Sequence, residues 1–430
     1  MQVRRRRCTT SSVQEREMSK SEISWVVLVH ASDNILKTAL SEELNVILLR
    51  KQNQWTSYGL TQAQVCLTVD DALENLDGLA AVLNQYPIGA VLSFMESGVL
   101  LAAALRERCG LPGTPLEAVQ RLKDKALMRA HLHDRGCHHL SVAAHEVTHL
   151  SALQAHRAAL QGRVIVKPVT GTGSVHIYAL DPGDDVPAPL INALGQGIRF
   201  LAEPFLQGLE FSVEALTING KHHIVAVTEK VVNEHFVEVG HCIPPRRMSP
   251  DALQGIAAAV REFLTAIGLV TGPSHTEVMW HEGRVTIIES HDRVGGDKIT
   301  ALVTQATGVD LIRMGLRLAA GRTVDPPPEL QCLGAACVIF LTPPPGRVLS
   351  ISLVPLPPEL PILERRAFVH PGDVLTQVRS SKDRSGLVVA SGPTPEEAFH
   401  HAQLGARSIQ FSMAVDHSAH PHPVPTSRST

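Results

Sequence analysis

Four short apolar segments that alternate with helical patterns constrain the fold of this chain most. They have the composition of strands and run at Trp25–His30, Asn45–Arg50, Gln64–Val69 and Ile88–Phe94. Apolar residues with helical spacing separate these segments, which predicts that strands and helices alternate. Such alternation is typical of a parallel sheet covered by helices on both faces. We therefore predict an α/β first domain with Rossmann-like topology over residues 23–115.

The first predicted strand lacks the glycine-rich turn of dinucleotide sites. The sequence "HASDN" at residues 30–34 stands where Gly-x-Gly-x-x-Gly would allow a pyrophosphate to approach a helix N-terminus. The first domain is therefore expected to have Rossmann-like topology but to bind no dinucleotide cofactor.

The rest of the chain divides into a central and a C-terminal unit. A chain of 430 residues exceeds the roughly 250–300 residues at which single cores stop growing. Mixed helices and hairpins predict a central α+β domain over residues 116–325. A proline cluster then leads into a small, strand-rich domain over residues 326–412. Residues 1–22 and 413–430 are expected to be disordered tails.

Composition excludes several classes of partner. The net charge is −3, and no basic stripe with interleaved aromatic residues occurs, so nucleic acid is not an expected ligand. No stretch of 18 apolar residues is present, so no membrane span is expected. The seven cysteines never form a Cys-x-x-Cys pair. This pattern favours free thiols in a reducing compartment, and we expect a cytoplasmic protein.

The sequence His-Glu-x-x-His at residues 145–149 matches a zinc-binding pattern, but we expect no metal there. The pattern requires both histidines on one face of a helix. The residues before it have the composition of a strand, and Thr148 or Ser151 is suited to begin the next helix. A surface loop and helix cap are therefore the favoured interpretation.

Two segments suit a bound nucleotide. Lys167 ends an apolar strand and precedes a turn rich in glycine, serine and threonine that includes Ser174, an arrangement that suits phosphate oxygens. A solvent-facing lysine beside a flexible hairpin explains this pattern equally well. Glu203 and Glu210 lie seven residues apart around a non-helical linker whose backbone groups could bind an adenine edge. Two acids exposed on a pair of strands are the equal alternative.

The segment Ile287–Ile299 concentrates charge at the end of an apolar strand. Glu277 and Glu289 are expected to face each other across one hairpin. Like charges in opposed positions destabilise a hairpin unless a cation lies between them, and Mg²⁺ suits carboxylates together with phosphate oxygens. His291 and Arg293 continue on the same side by the two-residue period of a strand. A metal-binding hairpin is favoured over a pair that is compensated in another way.

Taken in this order, the features resemble those of the ATP-grasp superfamily. Lys125 supplies a second lysine about forty residues before Lys167. The segments "VIVKPVTGTGS", "EPFLQGLEFSVE" and "IIESHDRVGGDKI" are similar to those of the L-amino acid ligases, the bacilysin-synthetase-like and dapdiamide-synthase-like enzymes of that superfamily. The resemblance extends from about residue 25 to 411. It implies an ATP-grasp fold with an N-terminal pre-ATP-grasp domain and a small C-terminal domain.

The resemblance also implies roles for the matching residues. The nucleotide-binding residues would be Lys125, Lys167, Ser174, Glu203, Phe205, Leu206 and Glu210. The metal ligands would be Glu277, Glu289 and His291, with His291 where most members have asparagine. Arg293 and His241 would be catalytic and would line the substrate pocket together with Gly296.

The activity implied by this resemblance is ATP-dependent coupling of two amino acids. ATP and two Mg²⁺ ions, with Mn²⁺ as a substitute, would activate one carboxylate as an acyl-phosphate, and the amine of the second amino acid would attack it. A homodimer is expected by analogy alone. The alternatives are a ligase with a non-amino-acid carboxylate or amine, a small-molecule kinase, and a nucleotide-binding protein without turnover.

Overall fold

A five-stranded sheet forms the core of the N-terminal domain. The computed structural model describes residues 3–4, 25–69, 75–160, 162–171 and 173–414. The strands are β1 (Val3–Arg4), β2 (Trp25–Val29), β3 (Asn45–Arg50), β4 (Val65–Thr68) and β5 (Ile88–Leu92), and the helices are α1 (Asp33–Ser41), α2 (Ser57–Gln62), α3 (Leu76–Leu83) and α4 (Val99–Arg108). The order is β1-β4-β3-β2-β5, and all pairs are parallel except β1–β4. This confirms the predicted α/β alternation.

Both predicted tails contain residues that lie in strands in the structure. Val3 and Arg4 pair with Leu67 and Cys66 at the edge of the sheet. The last strand of the chain continues to Ala414. The other tail residues lie outside the described residues, so the prediction of disorder stands untested there.

A four-stranded antiparallel sheet begins the central domain. Its strands are β6 (His145–Val147), β7 (Val164–Pro168), β8 (Tyr178–Leu180) and β9 (Phe200–Pro204), in the order β6-β9-β7-β8, and the neighbouring helices are α5 (Leu116–Lys123), α6 (Lys125–Asp134), α7 (Leu150–Leu160) and α8 (Ala188–Gly195). The side chain of Asp124 caps α6 by accepting from the Leu127 amide. His145 lies in β6 and His149 precedes α7, so the two histidines of the zinc-like pattern share no helix.

An eight-stranded antiparallel sheet continues from the central into the C-terminal part of the chain. Its strands are β10 (Leu209–Ile218), β11 (Lys221–Val232), β12 (Glu238–Ile243), β13 (Gly272–His281), β14 (Arg284–His291), β15 (Ala335–Leu341), β17 (Ile362–Ala367) and β19 (Gly386–Gly392). The order is β14-β13-β10-β11-β12-β15-β19-β17. The last three strands follow the proline cluster in sequence, so the segment predicted as a separate C-terminal domain completes the central sheet.

Helices cover this sheet, and a small sheet closes the chain. The helices are α9 (Pro250–Ile267), α10 (Ile299–Thr307), α11 (Leu311–Ala319) and α12 (Pro395–Arg407), and the small sheet has β16 (Gly346–Leu353), β18 (Val374–Leu375) and β20 (Ile409–Ala414) in the order β18-β16-β20. An N-cap serine precedes helix α9, and Gly268, whose φ of 86° suits glycine, follows its last residue. Among the described residues, no helix is long and apolar enough to cross a membrane.

One expectation about the cysteines is wrong. Cys242 on β12 and Cys337 on β15 occupy directly opposed positions in the eight-stranded sheet. They form a disulfide, although the scattered cysteines predicted free thiols. Spacing along the chain could not show this pairing, because 95 residues separate the two positions. The described free cysteines are Cys66, Cys109, Cys137 and Cys332.

Candidate active site

Lys167 and Glu203 meet on neighbouring strands of the four-stranded sheet. Lys167 Nζ lies 2.7 Å from Glu203 Oε2, and Arg129 on α6 donates from Nε to Glu203 Oε1 at 2.7 Å. Burial alone would raise the pKa of Glu203, but the charges of Arg129 and Lys167 lower it to about 2. The glutamate is therefore ionised at neutral pH and holds both cations in place. Sequence reasoning missed Arg129.

The second predicted lysine joins the charged hairpin. Lys125 Nζ lies 2.6 Å from Glu289 Oε2, and the Lys125 amide donates to Val169 O at 3.0 Å. Glu277 and Glu289 are direct partners in the β13–β14 register, as predicted. Burial would raise the pKa of Glu289, but Lys125 and His291 hold it well below its usual range. Both lysines and both glutamates are thus brought to one region of the central domain.

A third buried cation, Lys230, compensates the other carboxylates. Its Nζ lies 2.7 Å from Glu210, 2.8 Å from Glu277 and 3.1 Å from Glu238. Burial would lower the pKa of Lys230, but the three glutamates hold it well above its usual range. Lys230 therefore connects the predicted ribose ligand to a predicted metal ligand. The signal that could have revealed it is a lysine within the buried strand "HIVAVTEKVV".

Arg293 and His291 contact a glutamate from the N-terminal domain. Glu96 follows β5, and its Oε2 accepts from Arg293 Nε at 2.8 Å and lies 2.9 Å from His291 Nδ1. Lys123 also pairs with Glu96. Burial would raise the pKa of Glu96, but His291, Arg293 and Lys123 hold it well below its usual range. Sequence reasoning missed Glu96 because nothing in the local pattern indicates that β5 ends beside β14.

His241 lies on β12 in a different environment. It is 1% exposed, its ring packs edge-on against Phe340, and neither ring nitrogen has a hydrogen-bond partner among the described residues. Burial lowers its pKa to about 4, so the ring is neutral at pH 7. Close by, Arg384 donates to Asp297 Oδ1 at 2.7 Å and stacks over Phe340. The C-terminal segment therefore supplies a cation that the sequence did not reveal.

The glycine-rich turn after β7 contacts the C-terminal segment. Ser174 has a positive φ of 59°, and its hydroxyl donates to Phe236 O at 2.8 Å. Ser381 donates its amide to Gly173 O at 3.4 Å. Ser174 is thus a hydrogen-bond donor to backbone in this structure, and its phosphate role stays a prediction.

A cavity of about 620 Å³ lies beside Arg129, which pairs with Glu203. Phe205 and Leu206, predicted as adenine neighbours, line it together with Arg129, Met279 and Thr286. The Phe205 amide donates to Arg163 O at 2.9 Å, which fixes the linker after β9. The apolar walls and the buried cations beside them suit a planar base attached to an anionic chain. Gly296, the remaining predicted residue, lies before α10, and its carbonyl accepts from the Ile299 amide.

The donor set suits a magnesium ion only in part. Among the described residues, no group of three or more histidine, cysteine and acidic side chains is arranged to hold a metal. Glu277 and Glu289 present hard oxygens that fit Mg²⁺ when phosphate oxygens complete the coordination. Both ring nitrogens of His291 face carboxylates, Glu96 at 2.9 Å and Glu289 at 3.3 Å. This arrangement favours a positioning role for His291, whose metal contact stays a prediction.

Comparisons with known proteins agree with this architecture. Residues 160–301 match a model of the ATP-grasp domain, and residues 339–414 match L-amino acid ligase C-terminal domain 2. An L-amino acid ligase from Bacillus licheniformis has a similar structure, with a TM-score of 0.73, 20% identity and coverage of 92% of this chain and 100% of that one. Phosphoribosylglycinamide synthetase from Anaerococcus prevotii follows at 0.67 and 17%, with 91% and 100% covered.

Two curated relatives are similar to this chain over less than two thirds of their own length. The alanine–anticapsin ligase of Bacillus subtilis is 26% identical over 62% of this chain and 62% of its own length. Carnosine synthase 1 of Gallus gallus is 25% identical over 72% of this chain and 35% of its own. The fold and these matches show that the chain contains an ATP-grasp domain. More particularly, the chain joins its ATP-grasp domain to the C-terminal domain of the L-amino acid ligases, which confirms the resemblance drawn from the motifs.

Proposed function

We propose that this protein is an ATP-dependent carboxylate–amine ligase that joins two L-amino acids into a dipeptide. One observation carries the proposal: the opposed Glu277 and Glu289 lie between two buried lysines, Lys230 at 2.8 Å and Lys125 at 2.6 Å. Alternating buried charges of this kind complement a metal-bound triphosphate, whose negative charge and cations they match. The C-terminal domain shared with L-amino acid ligases supports amino acids as substrates.

The nucleotide would lie between the 620 Å³ cavity and the charged hairpin. Phe205 and Leu206 would contact the base, and Glu210 would accept hydrogen bonds from the ribose hydroxyls. Lys125 and Lys167 would place their ammonium groups on the phosphates, exchanging carboxylate partners for phosphate oxygens. Mg²⁺ bound at Glu277 and Glu289 would neutralise charge on the transferring phosphoryl group.

The first chemical step moves the γ-phosphoryl group to a substrate carboxylate. A carboxylate oxygen bonds to phosphorus as the bond to the β-phosphate oxygen breaks, which yields an acyl-phosphate and ADP. Preorganised cations lower the barrier to this step because they stabilise the charge that spreads over the phosphoryl oxygens. The glycine-rich turn, held at Gly173 by Ser381, would exclude water from the acyl-phosphate.

The second step forms the amide bond. The neutral amine of the second amino acid attacks the acyl carbon, the bond to the phosphate oxygen breaks, and the amine loses a proton as phosphate leaves. Arg293 would stabilise the oxyanion of the tetrahedral intermediate, and Glu96 fixes the position of its guanidinium. The neutral ring of His241 would hydrogen-bond substrate in the same pocket.

Phosphate release from ATP across a matrix of amino-acid pairs, with mass spectrometry of the products, tests the proposal. We expect release only when two amino acids are present, with a product of their summed mass less one water. Release with one substrate and a stable phosphorylated product would indicate a kinase. Phosphate release only when a carboxylate or amine other than an amino acid is supplied would indicate a ligase of different specificity. ATP binding without phosphate release under any condition would exclude catalysis.

A matched pair of variants tests the site itself. Glu289→Gln keeps the shape of the side chain but removes the charge that pairs with Lys125, and we expect kcat to fall roughly 10²- to 10³-fold. Glu282→Gln changes an exposed glutamate in the turn of the same hairpin and should leave kcat unchanged. Equal activity of both variants would remove Glu289 from the catalytic machinery.

A further inference from the structure

A second cavity, of about 220 Å³, lies between the N-terminal domain and the central domain. Residues 89–94 along β5, the first residues of β13 and one face of α11 form its walls. It shares no lining residue with the 620 Å³ cavity. It is smaller than the roughly 300–1,000 Å³ typical of drug-sized ligands, so a ligand there must be small.

An acidic and a basic residue line this second cavity, and the structure shows no hydrogen bond or ion pair between them. Burial raises the pKa of Asp292 to about 7, and the charge of Arg106 opposes this shift only in part. Asp292, from the central domain, makes no hydrogen bond or ion pair with any described residue. Arg106, on α4, donates to Thr114 O and, at 3.5 Å, to Val91 O, which leaves other N–H groups of its five without a described acceptor. Shielding a charge from water costs free energy unless an opposite charge or hydrogen bonds replace the water. A molecule that carries both charges would satisfy both residues.

The open edge of β5 adds backbone groups to this wall. Among the strands that the structure describes, β5 is the last of the five-stranded sheet and pairs with β2 alone. Gly89, Ala90, Val91 and Leu92 of this strand are among the residues that line the cavity. An unpaired strand edge presents N–H and C=O groups that can bind the polar groups of a ligand. The wall therefore combines an acid, a base and amide hydrogen bonding within a small volume.

We propose that this cavity binds a small zwitterionic α-amino acid, with its ammonium group at Asp292 and its carboxylate at Arg106. The site is separate from the proposed catalytic site and does not depend on the ligase function. Asp292 lies between His291 and Arg293 in the chain, so a ligand that fixes Asp292 also restrains the backbone that carries those two residues. The bound amino acid would join the two domains at this point.

Calorimetric titration of the full-length chain with each of the twenty L-amino acids, in the absence of nucleotide, tests the site. Asp292→Asn removes the charge and keeps the shape, and Ala319→Leu fills the cavity while leaving Asp292 intact. The control is Asp251→Asn, which changes an exposed aspartate on α9. We expect at least one amino acid to bind the wild type and the control, with Kd raised tenfold or more in both cavity variants.

Two results would overturn the site. The first is that no amino acid binds the wild type, and the second is that the folded cavity variants bind amino acids as the wild type does.

The variant Arg293→Ala distinguishes failure of this proposal from failure of the proposed function. A Kd that rises in Arg293→Ala but not in Asp292→Asn would assign the ligand to the catalytic site, which overturns the cavity site and leaves the ligase proposal intact. A failed ligase assay, in turn, would not change the calorimetric result.

Discussion

The five-stranded and eight-stranded sheets of this protein differ in how many charged side chains they bury. The middle of β2 and β3, residues 26–29 and 46–49, is apolar throughout and almost fully buried. In the eight-stranded sheet, Glu214, Lys230 and His275 are each at most 4% exposed. Burying charge costs several kcal/mol per ion unless partners compensate it, whereas apolar burial stabilises without such partners. The comparison indicates that apolar burial stabilises the first sheet, whereas the second sheet carries the buried charges of the candidate site.

The buried charges of the second sheet compensate each other in pairs. Glu214 Oε1 lies 2.9 Å from His275 Nδ1, and His275 Nε2 lies 3.3 Å from Glu277. Burial would lower the pKa of His275, but Glu214 and Glu277 raise it to about 9. A chain of alternating charges thus leads from the core of the sheet to a predicted metal ligand and fixes the position of its carboxylate.

Replacement of Lys230 should have the largest effect on stability. Lys230→Met removes the cation that Glu210, Glu238 and Glu277 share and leaves His275 beside Glu277 alone. Breaking a buried ion pair costs roughly 3–5 kcal/mol of unfolding free energy. Urea unfolding of the variant measures this cost. Lys298→Met, which removes a half-exposed pair with Glu364, is the control and should change little. Mg²⁺ should restore part of the stability of Lys230→Met if Glu277 binds it.

A core truncation in the first sheet should separate stability from activity. Leu48 on β3 is fully buried, so Leu48→Ala should lower the unfolding free energy by roughly 2–5 kcal/mol through lost burial and a cavity. Its kcat per folded molecule should equal that of the wild type, because β3 carries none of the predicted site residues. A large fall in kcat at full folding would contradict the division of roles between the two sheets.

The buried His241 should make stability depend on pH. The folded state holds the ring neutral, with a pKa of about 4, while the unfolded chain binds a proton near pH 6.5. This contribution is fully present above pH 6.5 and is lost as the pH falls from 6.5 toward 4, by about 3 kcal/mol at most. Unfolding free energies at pH 7.5 and 4.5 should therefore differ less in His241→Phe than in the wild type. The exposed His370→Phe should behave as the wild type does.

A surface ion pair should matter least. Arg199 and Glu146 pair at the rim of the four-stranded sheet with both side chains more than a third exposed. Glu146→Gln should lower the unfolding free energy by roughly 0.2–1 kcal/mol, because water and salt screen exposed charges. A loss as large as that of Lys230→Met would show that burial does not decide the strength of these pairs.

Local patterns predicted the elements and part of the site. The parallel strands of the first domain and the opposed positions of Glu277 and Glu289 follow from apolar segments and the two-residue strand period. The partners of these groups could not be predicted in this way. Lys230 and Arg384 reach their carboxylates through strand order and loop packing, and Asp297 is 87 residues from Arg384 along the chain. Contacts between residues so far apart in sequence depend on the tertiary structure, which a short stretch of sequence does not reveal.

The sheet shared by the central and C-terminal segments limits how this protein can be recombined. Strands β12 and β15 pair from Gly240–Ile339 to Ile243–Ala336 across the proposed boundary at residue 325. A chimera that takes its C-terminal segment from a relative would therefore have to reproduce that register and the side chains on either side of it. The segment is better exchanged together with β12. Any exchange of the C-terminal segment alone would place its junction inside one continuous sheet.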